Sequence, residues 1–188
     1  MGLLVHSRKP VQLIGDKSLS KRDFLRVIRP LKKFGANFKS KSGKLPITVS
    51  GTKNPKPIRF FEDIGSAQIK SSILFAALNT AGKTIVKAKR SRDHSEKLFK
   101  HLKIPIKIKK RGNFDIIEIK GKKKINPIIY NIPADISSSA FFIVLTALSN
   151  NSKLTIKNVN VNPSRTGLLK ILKKMGVSIS QKNKKIYK

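Results

Sequence analysis

"SAQIKSSILFAALNTAGKTIVKAKRSRDHSEKLFKHLKIPI" runs from Ser66 to Ile106, and "DISSSAFFIVLTALSNNSKLTIKNVNVNPSRTGLLKILKKMGVSI" runs from Asp135 to Ile179. The two stretches parallel one another. Each reads as a polar helix start, an apolar helix of the buried kind, a polar loop and a strand. A second polar turn, an amphipathic helix and another strand follow. The phrase that closes each copy returns a third time as "LKKFGANF" from Leu31, and Leu102 fills the equivalent slot between Leu31 and Leu172, at steps of 71 and 70 residues. A Gly after the helix in two of the copies suits a helix C-terminal cap. "DIIEIKG" (Asp115 to Gly121) and "PIIYNIP" (Pro127 to Pro133) read as further strands. The repeat is therefore roughly helix-strand-helix-strand-strand-strand. At about seventy residues it is too long for a solenoid repeat and is an α/β module in its own right. The chain holds about two and a half copies.

Length and composition agree with this picture. A chain of 188 residues with 39% hydrophobic content can bury a sizeable core. It has no cysteine, which excludes disulfides, cysteine-zinc sites and thiol nucleophiles, and fits a reducing compartment. No apolar run reaches the length needed to span a bilayer. "MGLLVHSRKP" has too short an apolar stretch for a signal peptide core, and His6 stands where a myristoylation motif wants Ser or Thr. The expectation is a cytoplasmic protein with no membrane partner.

The charge is extreme, with 42 Lys plus Arg against 9 Asp plus Glu and a net charge of +33. Nucleic acid and small anions are the natural partners of such a field. The basic residues are spread along the chain, in short clusters such as "KGKKK" (Lys120 to Lys124). There is no zinc-finger spacing, no RNP-like signature and no long basic arm. The expectation is anionic small substrates and no specific nucleic acid, with a basic nucleic-acid-binding module as the competing class.

Four polar stretches stand where loops meet helix N-termini, the places in α/β modules where free N–H groups and the helix dipole attract anions. In "GDKSLSKRDF" (Gly15 to Phe24), Asp16 and Ser18 form a turn. Arg22, suited to forked recognition of carboxylate or phosphate, lies near the start of a helix running towards Phe34. In "EDIGSAQIK", Ser66 is an ordinary helix cap, but Gln68 and Lys70 are not needed for capping. In "KRSRDHSEKL", Asp93 or Ser95 caps a helix with Glu96 in its first turn, while Ser91 and Arg92 project from the loop before it. In "IPADISSSAFF", Asp135 precedes a helix with Ser137 to Ser139 along its first turn. No Walker A motif, GxGxxG, HExxH, Ser-His-Asp arrangement or metal-ligand cluster is present.

Taken in order, "GDKSLSKRDFLRVIRPLKKFGA", "SAQIKSSILFAAL", "SRDHSEKL", "DISSSAFF" and "NPSRTGLLKILKKMG" resemble the EPSP synthases, the 3-phosphoshikimate 1-carboxyvinyltransferases, and most the glyphosate-tolerant bacterial class. The resemblance runs from Gly2 to Met175. It implies a mixed α/β fold of repeated βαβαββ units arranged as an inside-out α/β barrel, here incomplete. On that reading residues 1–123 are most of one domain, and residues 124–188 are the first unit of the other. It implies transfer of the enolpyruvyl group of phosphoenolpyruvate to the 5-hydroxyl of shikimate 3-phosphate, with release of phosphate, in the shikimate pathway to chorismate and the aromatic amino acids. The related UDP-N-acetylglucosamine enolpyruvyl transferases share the fold, but "SRDHSE" and "SAQIKS" are of the shikimate type.

Residue by residue, the resemblance makes Arg22 a phosphoenolpyruvate-binding arginine, although the family usually has Pro where Asp23 stands. It makes Ser66 and Ala67 contacts to shikimate 3-phosphate and Gln68 a contact to both substrates. Ser91 and Arg92 become the grip on the shikimate phosphate. Asp135 is placed near the interdomain crossover and is not the catalytic base. No metal or organic cofactor is implied, and the full-length enzyme is expected to be a monomer. The family's N-terminal Lys-Ser segment, its Asn-Ser-Gly-Thr loop, its proton-accepting aspartate, its Lys-Glu pair and two further arginines have no counterpart here. The chain is therefore expected to be a partial one with no catalytic residue assigned, and inactive alone.

Overall fold

The computed structural model describes residues 1–121 and 124–184. It divides into two compact units, Met1–Asn126 and Pro127–Lys188. Residues 122 and 123, where the sequence reading put the domain boundary and part of the "KGKKK" cluster, lie outside the described residues.

The first unit opens with a single 3₁₀ stretch, Gly2–His6. A three-stranded antiparallel sheet follows, made of β1 (Val11–Leu13), β2 (Asn37–Lys39) and β3 (Ile47–Ser50) in the order β1-β3-β2. Two helices, α1 (Lys17–Ser20) and α2 (Leu25–Lys32), connect β1 to β2. The helix expected to run from near Arg22 towards Phe34 is thus α2, with α1 as a separate turn before it. Val27, Ile28 and Leu31 recur at helical spacing and form its buried face.

A complete βαβαββ module comes next. It consists of β4 (Arg59–Glu62), α3 (Ala67–Leu78), β5 (Lys83–Lys89), α4 (His94–His101), β6 (Ile106–Arg111) and β7 (Phe114–Lys120). Its sheet has the order β4-β5-β7-β6, with β4 and β5 parallel and the other pairs antiparallel. The alternation in "KTIVKAK" sends Thr84, Val86 and Ala88 inward and the three lysines outward. α3 lies against that inner face, burying Ile69, Ile73, Leu74, Ala76 and Ala77. Each large aliphatic among them contributes about 2 kcal/mol of burial. The core continues through Leu31, Phe34, Phe99, Ile117 and Ile119.

The helix ends correct the repeat register. The residue in the left-handed region after α2 is Gly35 (φ 103), and the one after α4 is Lys103 (φ 55). The second unit supplies the third, Gly176 (φ 89), after α6 (Gly167–Lys174). Lys103 N and Gly176 N each donate to the carbonyl three residues back. Ile104 N and Val177 N each donate five back, to Phe99 and Leu172. The counterpart of Leu31 and Leu172 is therefore Phe99, not Leu102, and the steps are 68 and 73 residues. The Lys at the turn hid this, because Gly is the residue that advertises a left-handed cap.

The second unit holds α5 (Ile136–Leu148) and α6. Three strand expectations fail in it: "PIIYNIP", "KLTIKNV" and "GVSI" form no ladder among the described residues. Among the described residues there, the only pairing is a bridge between Ala134 and Val159. A strand exists by hydrogen bonding to a neighbouring backbone, so apolar alternation without a partner leaves an extended segment. The expectation that α5 is buried also fails. Only Ile136 of that helix is buried, while Phe141 is 79% and Leu148 80% exposed.

Candidate functional site

The parallel pairing of β4 with β5 sets Glu62 beside Ala88, so both strands release the chain at one edge of the sheet. β4 leads into the mouth of α3, and β5 leads into the Ser91–Arg92 loop before α4. Loops at the carboxyl ends of adjacent parallel strands are the usual ligand crevice of α/β folds. The two loops are close together, because a Cβ built on Gly65 would lie 3.6 Å from Arg90 O.

The mouth of α3 is tightly organised. Glu62 is 1% exposed and its carboxylate accepts from three successive backbone N–H groups. Ile64 N donates at 3.1 Å, Gly65 N at 3.1 Å and Ser66 N at 2.9 Å. Gly65 adopts φ 81, which a residue with a Cβ rarely tolerates, and this turns the three donors onto one acceptor. Ser66 is the N-cap, its Oγ accepting from Ile69 N at 3.4 Å. Ala67 begins the helix and is half-buried. Gln68 is exposed on the first turn, where its Oε1 accepts from an Arg26 Nη at 2.7 Å. The sequence reading missed both Glu62 and Arg26. An Arg on an amphipathic helix looks like any solvated cation, and only the packing of α2 on α3 aims it at Gln68.

Lys70, unexplained by capping, forms a buried ion pair. Its Nζ lies 2.6 Å from Glu96 Oε1, with the two side chains 1% and 4% exposed. Ser71 and Ser95 hydrogen bond at 2.7 Å alongside it. Together these contacts tie α3 to α4 just inside the sheet edge. Asp93 is the N-cap residue of α4 but makes no side-chain cap bond, and it pairs with Lys97 at 3.1 Å. Ser95 does not cap either, since its Oγ is used across the helix pair. Ser91 Oγ is buried and has no hydrogen-bond partner among the described residues, and Arg92 is exposed beside it.

Arg22 lies on the exposed bend between α1 and α2. Its side chain makes no ion pair or hydrogen bond among the described residues. The neighbouring Asp23 is occupied: its Oδ1 accepts from the N–H of Leu25, the first residue of α2, at 2.7 Å. Asp16 likewise caps α1, accepting from Leu19 N at 2.6 Å. The structure therefore brings Ser66, Ala67, Gln68, Ser91 and Arg92 to one sheet edge, with Arg26 reaching in from α2.

In the second unit, Asp135 caps α5, accepting from Ser137 N at 3.1 Å and from Ser138 Oγ at 3.2 Å. An Arg165 Nη lies 3.2 Å from Asp135 Oδ1 and also donates to Ser137 Oγ. The Ser137 N–H, first, and then the Ser138 hydroxyl and Arg165 hold the Asp135 carboxyl below its usual range. Arg165 and Ser164 occupy the same place in their copy of the repeat as Arg92 and Ser91. Among the described residues, no group of three or more His, Asp or Glu could hold a metal ion, and no helix is long and apolar enough to cross a membrane.

These helix mouths can be set beside known proteins. The chain matches the family model for EPSP synthase (3-phosphoshikimate 1-carboxyvinyltransferase) over residues 1–188. It is 42% identical over 183 residues to the 3-phosphoshikimate 1-carboxyvinyltransferase of Endomicrobium trichonymphae, and 42% identical over 182 residues to that of Caldicellulosiruptor bescii. Those alignments cover 97% and 95% of this chain but 42% of each relative. The crystal structure of EPSP synthase from Acinetobacter baumannii superposes with a TM-score of 0.80 at 34% identity, over 99% of this chain and 42% of that one. The chain spans less than half the length of the relatives it matches. Its complete βαβαββ module, its α/β fold and its five signature phrases in order agree with those likenesses, and the chain belongs to the EPSP synthase (3-phosphoshikimate 1-carboxyvinyltransferase) family.

Proposed function

We propose that this chain forms the substrate-binding part of an enolpyruvyl transferase that joins phosphoenolpyruvate to the 5-hydroxyl of shikimate 3-phosphate. One observation carries the reading: the mouth of α3 and the Ser91–Arg92 loop leave adjacent parallel strands at the same sheet edge. Ser91 Oγ there is buried with no partner among the described residues and Arg92 is exposed, a donor and a cation for a phosphate. Ser66 and Ala67 contribute the start of α3, whose dipole favours an anion. Gln68, held by Arg26, faces the same mouth with an amide that can bond either substrate. Arg22, on the bend before α2, and Arg26, in the first turn of that helix, are the cations for phosphoenolpyruvate. Asp135 and Arg165 make the corresponding mouth in the second unit, with Asp135 as an organising carboxylate and not a base.

On this reading residues 1–123 belong to one domain of the transferase and 124–188 to the other. The enzyme works in the cytoplasm as a monomer, with no metal or cofactor, no membrane and no sequence-specific nucleic-acid partner. Positioned charges supply most of the rate in such a reaction, so the 188-residue chain by itself binds anions without turning them over. Titration calorimetry with shikimate 3-phosphate tests the site. Binding that weakens at least about ten-fold in Arg92→Ala, the loss of one charged hydrogen-bonding group, is the expected result. Equal binding by the native chain and Arg92→Ala overturns the assignment. Steady phosphate release by the purified chain overturns the claim that it binds without turnover.

A further inference from the structure

The strand register builds a second surface, away from the helix mouths. The outward residues of β4, β5, β7 and β6 fall into rows across the sheet. One row reads Arg59, Ile85, Glu118, Lys107, and the next reads Phe61, Lys87, Ile116, Lys109. A third reads Lys89, Phe114, Arg111, and Lys83 stands opposite Lys120. Eight of these thirteen side chains are cationic and one is acidic. Glu118 takes up Lys83 at 3.2 Å, which leaves seven cations without a carboxylate. The opposite face of the same strands is the apolar core, so the charge is sorted onto one side.

Two aromatic rings sit among the cations. Phe61 on β4 and Phe114 on β7 flank β5, with centroids 5.5 Å apart and planes tilted by 42°. Lys87 Nζ stands 5.1 Å from both centroids and holds the pair together. Phe61 is nonetheless 53% exposed, an unusual position for a large ring on a charged surface. The sequence cannot advertise this pairing, because the rings are 53 residues apart and meet only through the β4-β5-β7 order.

We propose that this sheet face binds single-stranded nucleic acid without sequence preference. The chemistry of single-strand binding is a positive surface tracking the phosphates, with exposed rings on which bases stack. A four-stranded sheet with aromatic residues on its open face is a platform for two or three stacked bases. Both parts are present here in one face. A base stacks on the exposed side of Phe61 while Arg59 on the same strand and Lys107, Lys109 and Arg111 across the sheet on β6 take the phosphates. Double-stranded DNA offers charge without accessible bases, so the face favours single strands. The inference stands on the sheet face alone and does not depend on the transferase reading.

The test is fluorescence anisotropy of the full 188-residue chain with labelled oligo(dT) and with a duplex of equal length, across a salt series. The single strand is expected to bind more tightly than the duplex. Phe61→Leu, which keeps apolar bulk and removes the stacking plane, weakens single-strand binding about ten-fold, and Phe61→Tyr restores it. The triple change of Lys87, Lys109 and Arg111 to Gln lowers the slope of log K against log salt by about 2. Thermal unfolding of each variant shows that the fold is retained. Equal affinity of Phe61→Leu and the native chain, equal affinity for duplex and single strand, or an unchanged salt slope in the triple variant overturns the proposal. So does binding to phosphatidylserine vesicles with none to oligo(dT).

Discussion

Replacing Lys70 by Met removes the cation of the buried pair and leaves the Glu96 carboxylate enclosed. The Nζ–Oε1 distance is 2.6 Å and both side chains are almost wholly shielded, so solvent cannot take over the role of the partner. Among the described residues Glu96 Oε2 has no hydrogen-bond partner, so that oxygen offers no second contact to fall back on. Breaking a pair of this kind costs about 3–5 kcal/mol, because the remaining charge keeps its desolvation penalty and loses the attraction that offset it. Such a loss is a large fraction of the 5–15 kcal/mol that holds a typical domain folded. For a chain of this size it lowers Tm by about 10 °C or more. The double variant Lys70→Met with Glu96→Leu removes both desolvation penalties and fills the space with apolar atoms, and recovers most of the loss. Urea unfolding of the native chain, the two single variants and the double variant gives the coupling directly. A Lys70→Met chain as stable as the native one refutes the reasoning, and so does a double variant as unstable as the sum of the singles.

The other predictions concern the helix ends and α5. Lys103→Gly relieves a left-handed backbone at a position where the other two copies have Gly, and raises stability by about 0.5–1 kcal/mol in the same unfolding assay. The Asp135 carboxyl titrates below ordinary aspartates; since its folded pKa is depressed, the stabilisation it provides is present above the unfolded value and is lost as pH falls through the folded one. Carboxyl NMR titration of Arg165→Gln is expected to show Asp135 still depressed but less so, because the Ser137 N–H remains. α5 exposes Phe141, Phe142, Leu145 and Leu148, so the isolated chain self-associates at micromolar concentration, and Phe141→Ser with Leu145→Ser reduces the apparent mass in light scattering.

What the sequence revealed was local. Ser66 and Asp135 cap helices where a short oxygen-bearing side chain precedes an apolar run, and the cap bond closes within two or three residues. The alternation in β5 and β7 and the spacing in α2 also report their own faces. Contacts between distant segments were not legible. Arg26 with Gln68 spans 42 residues, and Lys70 with Glu96 joins two helices. Nothing near Lys70 in the chain distinguishes a buried ammonium from a solvated one. "PIIYNIP" failed for the opposite reason: its pattern suits a strand, but pairing depends on a neighbour that the pattern does not contain. At the candidate site, the hydroxyl and amide of the α3 mouth stood out because capping did not require both. Glu62 did not, because a carboxylate at the end of a strand looks like a surface residue until its three donors are seen.

The nine acidic residues, taken together, change the meaning of the charge. Asp16 and Asp135 close helix starts, Asp23 takes the Leu25 N–H, Glu62 gathers three N–H groups and Glu96 balances Lys70 in the core. Asp93, Asp115 and Glu118 pair with Lys97, Arg90 and Lys83, and Asp63 alone has no such task among the described residues. The carboxylates that remain are nearly all ones the architecture uses. The chain's basicity thus comes from a surface with few acids, while nearly all of the acids it has are tied to a structural partner. Substitution should be lopsided in consequence: many lysines can become glutamates at little cost, while few of the acids can be given up.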